Sequence, residues 1–261
     1  MTGPPGPPMH PVVFDQPRRL TDVDSWHEHI PFAFFAVAAL RPRVVVELGT
    51  WKGDSYCAFC QAVQTVGAPS RCYAIDTWEG DVHTGPYGAD VLEELRAHHD
   101  PLYGSFSQLL QRTFDEAVGD FADASIDLLH VDGIHSYDAV RHDVETWLPK
   151  LSDRGVMLLH DTNVREADFG VWRLWEELAP RFPAFAFAHG HGLGVLAVGA
   201  RVEPAFFDFL EAARRDASTA LLFAALGSRI AVPARERRAR AAIEADSERR
   251  LAEATRTAAE T

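Results

Sequence analysis

The sequence predicts an α/β fold: a Rossmann-like, doubly wound, mostly parallel sheet with a C-terminal antiparallel hairpin strand and a helical C-terminal tail. Three observations carry this. Short apolar runs alternate with longer amphipathic stretches between residues 44 and 178. Glycine or an acidic residue follows several of those runs, as at a ligand-binding edge. Two late runs are joined by only four residues, too few for a parallel crossover.

Residues 1–20 begin Gly/Pro-rich and read as a flexible N-terminal arm, because proline removes donors and glycine resists ordering. Ser25–Leu40 reads as a helix with Trp26, Ile30, Phe34, Val37 and Ala38 near one face, ended by Pro42. Val44–Leu48, Cys72–Ile75, Ile126–Val131 and Val156–Leu159 read as buried parallel strands. The helices between them are Ser55–Val66, Ala89–His99, Phe114–Phe121 and Tyr137–Leu151, with Ser107–Thr113 as a further strand. A helix over Phe169–Leu178 follows, then the strands Ala184–Ala188 and Leu193–Val198 across the turn His189–Gly192. His189 and His191 are expected at the far end of the sheet, without a role. The domain then covers residues 21–200, with a helical extension over 201–228. Residues 229–261, rich in Ala, Arg and Glu, form a solvated helix or frayed tail, or a connection to a partner.

Composition narrows the function classes. With 25 basic against 38 acidic residues the formal charge is −13, which disfavours a nucleic-acid backbone or an anionic membrane as main partner. The longest apolar run, Phe32 to Leu40, is far short of a membrane span. Three cysteines make no disulfide framework, so a reducing, cytoplasmic setting is expected. Cys57 and Cys60 form a C-x-x-C, but a glycine loop stands between the pair and its strand, so they read as helix thiols.

The strand Val44–Leu48 runs into Gly49-Thr50-Trp51-Lys52-Gly53-Asp54-Ser55. Gly49 suits a tight turn and close ligand approach, Gly53 suits close packing at the helix start, and Ser55 can cap that helix. The loop lacks the G-x-G-x-x-G spacing of a pyrophosphate binder. Glu47 at the strand end could meet a cationic group. Asp76, ending the second strand, suits a ribose diol, or else caps the following loop beside Thr77; Trp78 could cover an adenine or a substrate. An acid for a positive centre and another for a ribose, without phosphate machinery, match S-adenosylmethionine. The glycine-bearing loop Gly80–Gly88 reads as a lid or acceptor-site wall.

Asp132 ends the third strand, and His160 and Asp161 end the fourth. Neighbouring strands lie roughly 4.8 Å apart, so the two carboxylates could share one hard cation. His135, three residues after Asp132, could take a hydroxyl proton near neutral pH, and the cation would acidify that hydroxyl. Asn163 and Thr162 are reserve oxygen ligands.

The block Glu47–Ser55 resembles motif I of the small-molecule O-methyltransferases, including the catechol type. The stretch Asp132-Gly133-Ile134-His135-Ser136-Tyr137, with Gly155 through Asp161, resembles class I methyltransferases found beside glycosyltransferases, including the macrolide-sugar O-methyltransferases. The resemblance covers roughly residues 30–200, and a parallel sheet ending in an antiparallel strand is the arrangement of that class. It implies S-adenosylmethionine bound by Glu47, Gly49, Thr50, Gly53, Ser55, Asp76, Thr77 and Trp78. It further implies a divalent metal (Mg²⁺ first, Mn²⁺ or Fe²⁺ as alternatives) on Asp132, His160 and Asp161, His135 as base, and a sugar hydroxyl as acceptor. His160 departs from the relatives, which carry an acid there; imidazole takes Mn²⁺, Fe²⁺ or Zn²⁺ more readily than Mg²⁺. Two other readings stay open: a metal-dependent hydroxylase on the same fold, and a non-catalytic module whose tail assists a glycosyltransferase. A homo-oligomer is also expected.

Overall fold

The computed structural model describes residues 9–81, 85–166 and 168–259. Its sheet has seven strands: β1 (Val44–Leu48), β2 (Arg71–Asp76), β5 (Ser107–Gln111), β6 (Ile126–Val131), β7 (Leu151–His160), β8 (Ala184–Phe187) and β9 (Leu193–Ala197). Their spatial order is β5-β2-β1-β6-β7-β9-β8. All neighbouring pairs from β5 to β7 are parallel, and β9 is antiparallel to both β7 and β8. The expected class, a mostly parallel sheet ending in an antiparallel hairpin, is observed. A small second sheet pairs β3 (Gly80–Asp81) with β4 (Gly85–Pro86) in the expected lid loop. Residues 82–84 of that loop lie outside the described residues.

The helices are α1 (Ile30–Leu40), α2 (Asp54–Val66), α3 (Ala89–Tyr103), α4 (Phe114–Ala117), α5 (Tyr137–Trp147), α6 (Val171–Leu178), α7 (Pro204–Arg215) and α8 (Ala217–Ala259). One face of the sheet packs α1 and α2 through Val45, Leu128, Val156 and Leu158. The alternate residues Val46, Leu129, Met157 and Leu159 meet α5 and α6 on the other face, the period of two that puts successive side chains on opposite sides.

Several boundaries differ from expectation. The first α-helix starts at Ile30, because His27–His29 form a 3₁₀ turn and Pro31, which lacks an N–H, fits a first helical turn. The fourth helix gives way to 3₁₀ geometry at Val118–Asp120. The fifth stops at Trp147, and Pro149 leads a short turn into a ten-residue β7. Residues 9–20 are not a loose arm: Val12 and Val13 are buried in the core that includes α1 and α2. Nor does a boundary fall at 228/229. The helix α8 runs through it, burying Phe223, Leu226, Ile230 and Ala234. By length and composition this helix could cross a membrane, but those four side chains pack into the domain.

Candidate active site

A cleft of about 270 Å³ opens at the carboxyl ends of β1, β2, β6 and β7, where open α/β sheets bind ligands. Two sub-sites meet in it. The first is the glycine loop. Gly49 holds φ +83°, and a Cβ there would sit 2.1 Å from the Asp132 carbonyl oxygen. The Asp132 amide in turn donates to Leu48 O at 2.8 Å. Glycine therefore serves close backbone approach between the β1 and β6 loops, which brings the two sub-sites together. Gly53, φ +81°, is the N-cap of α2, and its missing Cβ leaves room for Leu95 of α3.

Asp76 reaches across from β2. Its Oδ2 accepts from the amides of Thr50 and Trp51, both at 2.8 Å, and its Oδ1 from Trp78 at 2.7 Å. It thus shapes the glycine loop while lining the cleft beside Thr77. The buried Thr50 hydroxyl has no hydrogen-bond partner among the described residues, a vacancy for a polar ligand group. Trp51 stacks on Tyr87 at 6.0 Å on the cleft wall.

Two of the expected cofactor contacts, Trp78 and Glu47, sit outside the cleft. Trp78 is buried and does not line the cleft; its indole donates to Trp51 O at 2.9 Å. Ser55 lines the cleft but is not the cap, since the helix begins one residue earlier. Glu47 is fully buried behind the loop, bonded to His130 Nδ1 at 2.8 Å. Burial pushes the Glu47 carboxyl up, against the hydrogen bond from His130. The Trp26 indole, a donor only, meets His130 Nε2 at 3.1 Å. That fixes the tautomer: His130 accepts at Nε2 and donates from Nδ1 to Glu47. The sequence offered no signal for this chain, because Trp26 read only as core.

The second sub-site gathers Asp132, His135 and Asp161, whose ligand atoms all lie within 4.8 Å of one another. His135 Nε2 is 2.9 Å from Asp161 Oδ2 and 3.5 Å from Asp132 Oδ1, and its ring stacks on Phe169 at 4.7 Å. Asp161 sits at φ +59°, strained for a non-glycine residue. Its buried Oδ1 has only long contacts, to His191 Nδ1 at 3.3 Å and His160 Nδ1 at 3.5 Å. Burial opposes the His135 charge, but the two carboxylates override it and raise the imidazole to about 10. Burial also opposes both carboxylate charges, yet the neighbouring histidines hold Asp132 and Asp161 well below the usual range. Two carboxylates converging within 4.8 Å of one another fit a divalent cation, and the imidazole between them can carry a proton.

His160 stands apart from that set. Its Nδ1 lies 3.1 Å from Asp132 Oδ1, and its Nε2 faces Gly190 O at 3.1 Å. Both partners are acceptors, so this ring orients Asp132 as an imidazolium, raised to about 9 by Asp132 and Asp161 against burial. The reserve ligand Asn163 donates its side-chain amide to Ala188 O instead.

The hairpin turn His189–Gly192 lies over this site rather than at the far end of the sheet. Because β9 is antiparallel to β7, its first residue Leu193 pairs with the last residue of β7, His160. His191 Nδ1 is 3.3 Å from Asp161 Oδ1, and Gly190 O faces His29 Nε2 at 2.8 Å as well as His160. The antiparallel assignment already contained this placement, since such a hairpin must turn beside the carboxyl end of β7.

Residues 46–162 match a family described as a methyltransferase domain. An uncharacterised protein, y4gI, of Sinorhizobium fredii (strain NBRC 101917 / NGR234) is 49% identical over 191 residues, 73% of this chain. The chain spans only 21% of that relative's length. Among solved structures, cofactor-bound Rv0187 from MTB is similar with a TM-score of 0.51 at 15% identity, over 71% of this chain and 85% of its own. A Staphylococcus aureus protein provisionally assigned as a caffeoyl-CoA O-methyltransferase gives 0.52 at 12%, over 68% and 84%. At these identities the two structures speak for the fold.

Proposed function

We propose, on the premise that residues 46–162 form a class I S-adenosylmethionine-dependent methyltransferase domain, that this chain transfers a methyl group to a hydroxyl acceptor. The observation that carries the reading is the contact between Gly49 and Asp132. It sets a nucleoside-type loop and a carboxylate–imidazole cluster in one cleft, as transfer between two bound reactants requires. S-adenosylmethionine supplies the electrophilic methyl group. Gly49, Thr50, Gly53, Asp76 and Thr77 would hold it, with the Thr50 hydroxyl and the one remaining acceptor site of Asp76 Oδ1 toward its polar groups. Glu47 and Trp78 support that loop from behind, and Ser55 lines the cleft at the start of α2.

Asp132 and Asp161 are the residues that would hold a metal, with His135 left free to move a proton. A divalent cation there supplies Lewis acidity toward an acceptor hydroxyl and neutralises the carboxylates that otherwise keep His135 protonated. Two carboxylates favour Mg²⁺ before Mn²⁺ or Fe²⁺. His135 Nε2 is the atom placed to take the hydroxyl proton as the oxygen attacks the methyl carbon and its bond to sulfur breaks. His160 holds Asp132 in place. The motif resemblance favours a sugar hydroxyl, and Trp51, Tyr87 and the half-exposed Ile134 give the cleft a flat apolar wall for such a ring. A cytoplasmic setting fits the three buried, unpaired thiols. Self-association and a glycosyltransferase partner extend the same reading.

The test is calorimetric titration with S-adenosylhomocysteine, followed by methyl transfer to a panel of glycosides with added Mg²⁺ or Mn²⁺. Micromolar binding, weakened at least about tenfold by Asp76→Ala in folded protein, is expected. Folded wild-type protein that binds none removes the reading.

A further inference from the structure

We infer that α8 closes one wall of the cofactor cleft, with Arg235 and Arg238 as positioning residues that hold the segment 21–29 over it. The inference rests on the cofactor reading above. Val23, Ser25 and Trp26 of this segment line the cleft, yet its regular structure is one 3₁₀ turn, His27–His29. A wall with so little internal hydrogen bonding takes its position from its neighbours.

On the sheet side, Asp54 accepts from the Thr21 amide at 2.7 Å and from the Thr21 hydroxyl at 2.5 Å. His27 Nε2 lies 3.0 Å from the same carboxylate, and Trp26 donates to His130. On the solvent side the partners come from α8. Arg235 Nε is 2.6 Å from Asp24 Oδ2, and its terminal nitrogen is 3.3 Å from Glu28 Oε1. Arg238 meets Asp24 at 2.8 Å and donates to the carbonyls of Asp22 and Thr21 at 2.5 and 3.4 Å. At one end of the contact, a Cβ on Gly227 would sit 2.2 Å from Glu28 O, so helix and segment are in backbone contact.

A lone exposed ion pair contributes little. Here two guanidinium groups converge on two carboxylates and two carbonyls of one short segment, and α8 is anchored by Phe223, Ile230 and Ala234. Arginine suits this work because its planar fork serves several acceptors at once. A ligand that needs the wall in place binds with an affinity reduced by the fraction of molecules in which the wall is displaced. Docking of α8 and cofactor binding are thereby linked, although the helix lies about two hundred residues from the segment in sequence.

The experiment uses the full chain with Arg235→Ala/Arg238→Ala, and with Arg235→Lys/Arg238→Lys as the conservative pair. S-adenosylhomocysteine affinity is measured by calorimetry, and the melting temperature is measured without ligand. The expected result is about a tenfold weaker affinity in the alanine pair, partial recovery in the lysine pair, and a ligand-free melting temperature near wild type. Wild-type affinity in the alanine pair overturns the inference and leaves the cofactor reading standing. An affinity loss matched by a collapse in ligand-free melting temperature also overturns it, because the arginines then serve the fold alone. Folded wild-type protein that binds no S-adenosylhomocysteine overturns the cofactor reading and the inference with it.

Discussion

Two regions of this molecule use the same chemical groups to different ends. At the ends of β6 and β7, His135 lies between Asp132 and Asp161. Between α3 and β5, His99 Nδ1 is 2.8 Å from Asp100 Oδ1 and its Nε2 is 2.7 Å from Ser107 Oγ. By distances alone the second region has the Asp–His–Ser order of a nucleophilic triad. Its surroundings decide otherwise. The Ser107 hydroxyl also meets Tyr56 OH at 2.5 Å and Cys60 Sγ at 3.5 Å. Ser107 and His99 are buried, and neither lines the cleft. In the first region charge is concentrated on two carboxylates, the buried Asp161 Oδ1 has only long contacts, and the cleft gives access. Residue types and distances do not make a site; access and unused binding capacity do.

The sharpest way to break the contrast is to remove the imidazole from each region. His135→Ala is expected to lower turnover by roughly 10²–10⁴-fold, the range for a lost acid–base group, with S-adenosylhomocysteine affinity little changed. Steady-state kinetics beside calorimetry measures this, and unchanged turnover removes His135 as the base. His99→Ala should instead leave turnover per folded molecule intact. It should destabilise the protein by about 1–3 kcal/mol in denaturant unfolding, because Ser107 keeps a buried hydroxyl with one partner fewer. A large loss of turnover at constant stability would show that the sealed region reaches the chemistry after all.

Charge separates the regions next. The His135 imidazole is raised to about 10 and His160 to about 9. Groups whose folded pKa is raised stabilise the fold fully below their unfolded value of about 6.5. That contribution drains away as pH climbs toward the folded values. Asp132 and Asp161 are depressed, so their contribution is present above about pH 4 and is lost as pH falls below it. Metal-free protein should therefore be most stable between about pH 4 and 6.5, declining up to about 10. His135→Phe and His160→Phe should flatten the alkaline decline, measured by melting temperature against pH in chelator. An unaltered decline in both variants would falsify the assignment. Saturating divalent cation should also flatten it, since it competes for the carboxylates.

Much of this was legible in the sequence, and the misses share a cause. The strands, the glycine loop and the joining of Asp132, His135 and Asp161 follow from alternating apolar runs and from where each run ends. Local pattern reports these because each residue sits at the end of its own strand. Glu47 and Trp78 were placed in the cleft by the same rule, but their orientation depends on His130 and Trp51, to which no local pattern connects them. Residues 25–29 read as the start of a helix because their apolar spacing suits one. The actual course of segment 21–29 is set by Asp54 and by α8, distant contacts that leave no periodic trace. The Ser107 network was invisible because its members come from α2, α3 and β5.

The smallest expected effect is also the most discriminating. Asp100→Asn and Asp132→Asn make the same chemical change next to a histidine. The Asp100 side chain is 54% exposed, so its pair with His99 is screened by water, and its loss should cost about 0–1 kcal/mol. Turnover and S-adenosylhomocysteine affinity should not move. In a working triad the same substitution costs about 10⁴ in turnover, because the acid fixes the tautomer of the base. In the sealed region the His99 tautomer has nothing to activate, since the Ser107 hydroxyl is already shared with Tyr56 and faces no cleft. Assays on the two variants side by side, normalised to folded protein, decide between the regions. A drop in turnover for Asp100→Asn beyond about tenfold would mean that His99 communicates with the cleft through α2, whose first turn carries Asp54 and Ser55 on the cleft wall.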